Sequence, residues 1–422
     1  MELSGSHAAL RRAESVIPLG TQTMSKHVSQ FVGGVSPLFL ERGRGAHVWD
    51  VDGNELVDFP MALGPVILGY AEPVVDDAVR AQLDQGITFS LSHPLEAEVA
   101  ERIIDLCPGV EAVRFAKSGS DVVSAAIRAA RALTGRDLVL AAGYHGWHDW
   151  YIGSTTRDLG VPKAVADLTL TFRFGDLDHL RSVLQRHPGE VAAVVVEPSG
   201  AEVPEPGHLQ AIVDLAHEHG ALAVFDEIIT GFRLAPGGAR QRYGVVPDLS
   251  CYGKALGNGM PIAAVAGAWP TMRIFEDVFF SGTHGGETLS LAAARAVLDT
   301  VADGTVLADI EAKGIGLMAA LQAAVTEHGV GDRITVTGEP QRSVIGFTGP
   351  SPLVTKSWIQ QAMQDAGFLF NGSMFICARH SAEDLTGAAG AFASACAVVA
   401  AAGDDLSAHL RGRPVQPVFR AP

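Results

Sequence analysis

Between residues 37 and 59 the stretch PLFLERGRGAHVWDVDGNELVDF alternates apolar and polar side chains on both sides of Asp52-Gly53. Alternation of period two around an Asp-Gly pair predicts a β-hairpin, because successive strand side chains face opposite ways and Asp-Gly accepts the backbone angles of a tight turn. The texture changes near Pro73. From there helical stretches such as PVVDDAVRAQLDQG, PLEAEVAERIIDLC and GHLQAIVDLAHEHG alternate with short runs that stay apolar until their last residues, VAAVVVE at 191–197 and ALAVFDE at 221–227. A strand covered on both faces needs apolar residues at every position, so these runs predict buried parallel strands joined by crossover helices. The fold class is α/β, a mostly parallel sheet flanked by helices on both faces. After Thr288 an alanine-rich stretch, LSLAAARAVLDTVADG, leads out of this sheet into a smaller α+β segment that ends near FRAP. The expected organisation is an N-terminal segment of a small domain over 1–72, a large domain over 73–288 and the rest of the small domain over 289–422.

Composition narrows the class. Of 422 residues, 47% are hydrophobic and 18% charged, with a mean hydropathy of +0.21, which excludes a disordered chain. Basic minus acidic residues is 31 − 47 = −16, a field that repels a phosphate backbone, so no nucleic-acid partner is expected. Cys107, Cys251, Cys377 and Cys396 are scattered without a C-x-x-C pair, which argues against a zinc ribbon and a disulfide framework and fits a reducing cytoplasm. The N-terminus lacks the apolar core of a signal peptide, and the apolar stretch 391–402 is too short to span a bilayer, so the expectation is a cytoplasmic protein with no membrane partner.

In an open parallel sheet ligands sit at the carboxyl ends of strands, which directs attention to the residues that close the apolar runs. Glu197 ends one run, Asp226 and Glu227 end another, and Lys254 follows a third in PDLSCYGKALGNG. A carboxylate at a buried strand end needs a cationic partner, and Lys254 is the nearest lysine in sequence to Asp226. A structural Asp–Lys pair explains both residues; the glycines at 253, 257 and 259 point instead to a bulky ligand close to the backbone. A nucleotide P-loop is excluded, because Asp248 and Ala255 stand where glycine and a hydroxyl residue are required. Ser118-Gly119-Ser120 opens a helical stretch and either caps it or offers its amides to a phosphate. The run GYHGWHDWY at 143–151 crowds Tyr144, His145, Trp147 and His148 between glycines, as core packing, as a platform for a flat ring or, for His145, His148 and Asp149, as metal ligands in a spacing that matches no zinc signature.

Taken in order, WDVDGNELVDF, GPVILGYAEP, SGSD, RALTGRD, GYHGWHD, VVVEPSG, FDEIITGFR, GKALGNGMPIAAVAG and FSGTHGGETLSLAA resemble the class III pyridoxal-phosphate aminotransferases, in the branch containing glutamate-1-semialdehyde 2,1-aminomutase. The resemblance runs from about residue 15 to 380. It implies a fold-type I enzyme with pyridoxal 5'-phosphate held in the large domain. Lys254 matches the lysine that binds the cofactor covalently and shuttles the substrate proton, and Asp226 the carboxylate that keeps the pyridine nitrogen protonated. Ile228 and Tyr144 match the side chains that cover the two ring faces, and Ser118, Gly119 and Ser120 the phosphate-binding turn. Thr283 matches a threonine that reaches the phosphate from a neighbouring subunit, which implies a homodimer with sites at its interface. Glu197 matches an acidic position near the ring's 3-hydroxyl group.

The departures bear on substrate. Where the aminomutase carries an N-terminal arginine for the substrate carboxylate, TQTMSKHVSQF offers only Lys26 and His27, and Ala62-Leu63 replace its bulky aromatic before Gly64-Pro65. Neither a lysine nor a histidine provides the guanidinium fork. TFRFGD, FSGTHGGE and LFNGS are more similar to the aminomutase-like enzymes associated with amino-sugar and secondary-metabolite pathways, a resemblance that implies an aminotransferase acting between an amino acid donor and a carbonyl acceptor without an α-carboxylate, such as an oxidised sugar or an aminocyclitol intermediate. An isomerase, either an aminomutase or an amino-group epimerase, is the alternative, since it uses the same lysine. Arg233 is a candidate for the donor carboxylate or for a structural pair.

Overall fold

The hairpin forms where the alternation placed it. In the computed structural model, which describes residues 1–417, strands β1 (Leu40–Arg44), β2 (His47–Asp50) and β3 (Glu55–Asp58) run antiparallel. The turn between β2 and β3 is closed by Asp50, whose carboxylate accepts from the amides of Asp52 and Asn54 at 3.0 and 2.8 Å. Just beyond β3 the backbone does something that sequence did not foretell. Met61, Ala62 and Leu63 take φ values of 43°, 55° and 74°, a left-handed run of three residues that all carry side chains. Asp58 holds its entry, accepting from the Met61 amide at 3.0 Å and from the Tyr70 hydroxyl at 2.6 Å.

The seven-stranded sheet is built from β4 (Ala112–Ala116), β5 (Leu138–Ala142), β6 (Thr169–Thr171), β7 (Val191–Val196), β8 (Leu222–Glu227), β9 (Leu249–Tyr252) and β10 (Ala263–Gly267). Their order is β4-β10-β9-β8-β7-β5-β6; β10 runs antiparallel to both its neighbours and every other pairing is parallel. All six residues of β7 are buried because both faces are covered. Leu140, Val194, Val196 and Phe225 pack with the helices Leu177–Arg186 and His208–Glu218, while Val139, Ala193, Val195 and Val224 pack with the helix Gly119–Thr134 on the other face. Each fully buried valine or leucine contributes about 1.5–3 kcal/mol relative to exposure, which makes the unbroken apolar run the dominant local determinant.

By contacts the chain divides into two units, one comprising Gly64–Val66 and Pro73–Leu307, the other Met1–Leu63, Ile67–Glu72 and the chain from Ala308. The boundary expected at 288/289 therefore lies one helix too early. The helix Thr288–Val301 buries residues on several faces, Leu291, Ala294, Val297 and Leu298 among them, against the helices Pro73–Leu83 and Pro94–Leu106, and so belongs with the seven-stranded sheet. In the other unit, β11 (Ile334–Glu339), β12 (Arg342–Phe347) and β14 (Ser373–Phe375) form a three-stranded antiparallel sheet, and β13 (Phe368–Leu369) pairs in parallel with β3 to complete a four-stranded one. The apolar stretch read at 391–402 is the second half of a 21-residue helix, Ala382–Ala402, which among the described residues is long and apolar enough to cross a membrane by length and composition. Here one stripe of it, Ala388, Phe392, Ala395 and Val399, is buried, and Trp358 of the adjoining helix Pro352–Asp365 donates its indole N–H to the Ala395 carbonyl at 3.0 Å. The expected end of the small domain at FRAP lies outside the described residues.

Candidate active site

The register of the sheet brings the candidate residues to one edge. Ala142 of β5 lies beside Val196 of β7, and Val196 beside Phe225 of β8, so Gly143–His145, Glu197 and Asp226 leave the sheet side by side. Asp226 in turn pairs with Cys251 of β9, two residues before Gly253-Lys254. This is the carboxyl edge, where parallel strands present ligand-binding groups.

Asp226 is 5% exposed and its charge is met by His145, whose Nδ1 lies 2.8 Å from Oδ2; Oδ1 accepts from the Ile228 amide at 3.2 Å. An imidazole thus meets the buried carboxylate. His145 is itself fully buried, and its Nε2 faces the Ala142 carbonyl at 3.2 Å. Both ring nitrogens are thus within hydrogen-bond distance of an oxygen, which fixes the orientation of the ring. The metal-ligand reading of His145 and His148 gives way to these bonds, because His148 Nδ1 is engaged by the Ser124 hydroxyl at 2.7 Å.

Ser118 does cap the helix Gly119–Thr134, accepting from the Asp121 amide at 3.3 Å while Asp121 accepts from the Ser118 amide at 2.9 Å. Capping and anion binding are compatible here, since the Gly119 and Ser120 amides belong to the first turn and have no carbonyl four residues back within the helix. A Cβ on Gly119, or on Gly253, would sit 3.1 Å from Ile228 Cδ1, so both glycines keep open a slot whose floor is the Ile228 side chain. Lys254 follows at the start of the 3-10 turn Lys254–Gly257, half-buried, with φ at 43°. A lysine held in the left-handed region marks a backbone constrained by its surroundings, of the kind that gathers at functional sites.

Tyr144 stands over the same edge, 53% exposed, with its ring edge-on to Tyr151 at 5.7 Å. Burial, and then the negative charge of Asp226, lift its phenol above the ordinary tyrosine range. Its amide donates to Glu197 Oε1 at 2.6 Å, and Gly143 before it has φ at 112°. Glu197 is therefore the anchor of the Gly143–Tyr144 turn. Thr283 is the one candidate that the fold does not bring to this cluster: it lies exposed on the loop before Glu287, lining a cleft with Lys117, Asp121 and Ser124. Lys117 crosses that cleft to Glu287 at 2.9 Å.

Beneath the site Glu227 is fully buried and accepts from the Ala239 and Arg240 amides and the Thr230 hydroxyl. Burial pushes its carboxyl up to about 7, against the opposing pull of the Arg240 guanidinium. Arg233 is 1% exposed and donates to the Gly64 carbonyl, so the donor-carboxylate role read from sequence is replaced by an interior one. His145 is the residue that sequence reasoning undervalued. Its signal was available: LVLAA at 138–142 is another apolar run, and taking Ala142 as a strand end puts His145 beside Asp226.

The residues suit a flat, phosphorylated ring: a buried, partnered carboxylate, an aliphatic floor bounded by glycines and free first-turn amides occupy one edge. Comparison with known proteins agrees. A family model described as aminotransferase class-III matches residues 30–373. A 3-aminobutyryl-CoA aminotransferase of Cloacimonas acidaminovorans is 35% identical over 91% of this chain and 95% of its own length. A glutamate-1-semialdehyde 2,1-aminomutase of Chloroflexus aggregans is 39% identical over 70% of this chain and 72% of its own length. Among solved structures, the PLP internal aldimine form of the FumI protein of Sphingopyxis sp. MTA144 superposes with a TM-score of 0.88 at 28% identity, covering 98% of this chain and 99% of that one.

Proposed function

Because the chain belongs to the class III aminotransferases and is a pyridoxal-phosphate enzyme, we propose that it moves an amino group from an amino acid donor to a carbonyl acceptor that lacks an α-carboxylate, such as an oxidised sugar or aminocyclitol. The observation that carries amino transfer is the convergence of Asp226, Ile228, Gly119 and Gly253-Lys254 on one sheet edge. When bound, the cofactor supplies an electron sink for negative charge developed on the substrate carbon. In this reading Lys254 Nζ anchors the cofactor and, once displaced by substrate, carries the proton to and from the reacting carbon. Asp226 keeps a proton on the ring nitrogen, and His145 holds Asp226 in place. Ile228 and Tyr144 bound the ring faces, the Ser118–Ser120 turn receives the phosphate, and Glu197 fixes Tyr144. The exposed Thr283, in a cleft with Lys117, supports a homodimer in which a second copy's Thr283 completes the phosphate end.

The absence of an arginine between residues 21 and 31 supports the substrate half of the proposal, since a point-charge lysine does not reproduce bidentate carboxylate recognition. An aminomutase is the second reading, favoured by the relative from Chloroflexus aggregans. The two are separated by nitrogen balance. The holoenzyme is given an amino acid donor with amino-sugar ketones, and separately glutamate 1-semialdehyde alone, and keto-acid release is followed. Donor-dependent keto acid that is lost in Lys254→Ala supports transfer; efficient 5-aminolevulinate formation without a donor establishes the aminomutase instead. Borohydride reduction and peptide mapping should label Lys254, and a label elsewhere would overturn that assignment.

A further inference from the structure

The loop from Phe279 to Glu287, which carries Thr283, is tied down at both ends and bare in the middle. At its far end Glu287 caps the helix Thr288–Val301, accepting from the Leu289 amide at 2.6 Å and the Ser290 amide at 3.3 Å, and it meets the Lys117 ammonium. At its near end two arginines hold it by the backbone. Arg114, at the middle of β4, donates from Nη2 to the Phe280 carbonyl at 2.7 Å, and Arg128, on the helix Gly119–Thr134, donates from Nη1 to the Phe279 carbonyl at 2.9 Å. Between these ends Ser281, Gly282, Thr283 and His284 are all exposed, turned by a bond from the Gly285 amide to the Gly282 carbonyl at 3.0 Å.

In a chain of net charge −16 both guanidiniums serve carbonyls, and neither pairs with a carboxylate among the described residues. Carbonyls of an exposed loop are satisfied by water, so solvation alone does not call for two arginines here. What the bonds add is order. A charged donor on each of two consecutive carbonyls fixes the path of the loop against the conformational entropy that an exposed segment otherwise keeps. The Arg114 guanidinium also lies 5.8 Å from the centroid of the Phe280 ring, which fixes that side chain with it. Thr283 at the tip makes no hydrogen bond among the described residues, so the order imposed on it does nothing within its own chain. Both arginines stand on β4 and the helix that follows it, the two elements that frame the Ser118–Ser120 turn.

We propose that Arg114 and Arg128 are positioning residues for the cofactor phosphate of a second copy: by fixing the Phe279 and Phe280 carbonyls they aim Thr283 across the dimer, and they act on the partner's site and not on their own. The inference rests on the homodimer reading above and adds to it the residues that make the donated threonine ready before assembly. A loop free to wander presents Thr283 in the competent position only part of the time, and the apparent affinity at the phosphate end falls by that fraction. β4 and its helix thus serve two sites at once, receiving one phosphate on the Ser118–Ser120 turn and steering a threonine toward the other.

Cofactor retention is measured on the full chain by titrating apo-protein with pyridoxal 5'-phosphate and fixing what is bound on Lys254 with borohydride. Arg114→Ala combined with Arg128→Ala should weaken retention about tenfold through the lost order of the loop. Arg128→Ala alone, at an exposed position, serves if the double variant does not fold. Thr283→Ala should weaken retention to a similar degree, and the arginine changes should add little on top of it. Mixed dimers, isolated with two different tags, then decide the direction. With Lys254→Ala on one chain and the arginine changes on the other, the working lysine receives Thr283 from an intact loop and should hold cofactor like wild type. With Lys254→Ala and the arginine changes on the same chain, the working lysine of the other chain faces the loosened loop and should hold cofactor about tenfold more weakly. Wild-type retention in the alanine variants, equal retention in the two mixed dimers, the reverse order, a fully additive loss with Thr283→Ala, or a chain that stays monomeric would each overturn the proposal. Retention needs no donor, acceptor or turnover, so a failure here and a failure of the aminotransferase reading are distinguishable.

Discussion

Replacing His145 by alanine strips Asp226 of a 2.8 Å charge-assisted bond at a place where the carboxylate is 5% exposed and the imidazole not at all. A buried carboxylate left with no partner at all would cost about 3–5 kcal/mol of stability. In the loaded protein, on the proposed reading, the ring nitrogen still meets Asp226, so the loss is the hydrogen bond's smaller share, about 1.5–3 kcal/mol. If Asp226 holds the proton on the cofactor's ring nitrogen, this smaller share is what the reaction loses, equivalent to roughly 10- to 150-fold in kcat. The comparison is made among wild type, His145→Ala and His145→Gln, each as the cofactor-loaded protein, by thermal unfolding and by separate measurement of kcat and KM. The alanine variant should melt lower and lose kcat within that range while KM moves little. Glutamine restores one N–H toward the carboxylate and should fall between the two. A kcat within twofold of wild type at full cofactor occupancy would refute the argument. So would a lower melting temperature with kcat intact, because His145 would then be scaffold alone.

Two further outcomes follow from the geometry. Glu227 titrates near 4.5 in the unfolded chain and at about 7 when folded, so between those values the folded protein keeps a proton that the unfolded chain has released. Stability from this group is complete below pH 4.5 and lost as pH rises toward 7, on the order of 3 kcal/mol in all; Glu227→Gln should flatten that part of the melting profile, and an unchanged difference between pH 5 and pH 8 would count against the burial argument. Gly143→Ala places a Cβ 2.8 Å from Glu197 Oε1 at a φ of 112°, and should displace the carboxylate that holds the Tyr144 amide, at a cost of about 1–3 kcal/mol and with weaker cofactor retention; a variant that melts and retains cofactor like wild type would show the turn to be slack.

The sheet was legible because its strands are covered on both faces: 191–197 and 221–227 had to be apolar to their ends, and those ends are where Glu197 and Asp226 emerge. The hairpin was legible from the alternation of β2, where buried Val48 and Asp50 alternate with half-buried His47 and Trp49, and from the Asp-Gly that follows, although β3 is buried over its last three residues and β1 is almost wholly exposed. What escaped was every feature whose cause lies far away in sequence. The helix Thr288–Val301 is alanine-rich on all sides, and such a pattern says that a helix is buried without saying against what. Arg233 stood between a donor-carboxylate role and a structural pairing, because nothing nearby in sequence announces that the Gly64 carbonyl will receive it. The left-handed run at Met61–Leu63 carries no glycine until Gly64, so composition offered no warning. His145 lay between these cases, since its neighbours advertised a ring-rich turn but its partner 81 residues away could be inferred only from strand register.

The pairing of β13 with β3 sets a timetable. Phe368 lies opposite Val57, so the four-stranded sheet waits for a strand made about 310 residues after its neighbour. At roughly 5–20 residues per second a ribosome takes about 15–60 s to cover that distance, whereas β4 to β10 are synthesised as one uninterrupted stretch. The seven-stranded sheet therefore has all its strands while β3 still presents an unpaired edge, and an unpaired edge is a template for any other extended chain. The unit carrying Lys26 and Asp58 is the high-contact-order part of the molecule, the last to close and the more exposed to mispairing during synthesis. Mutations that slow β13, or that lengthen the chain before it, should thus appear first as lost yield, before any change in the finished enzyme.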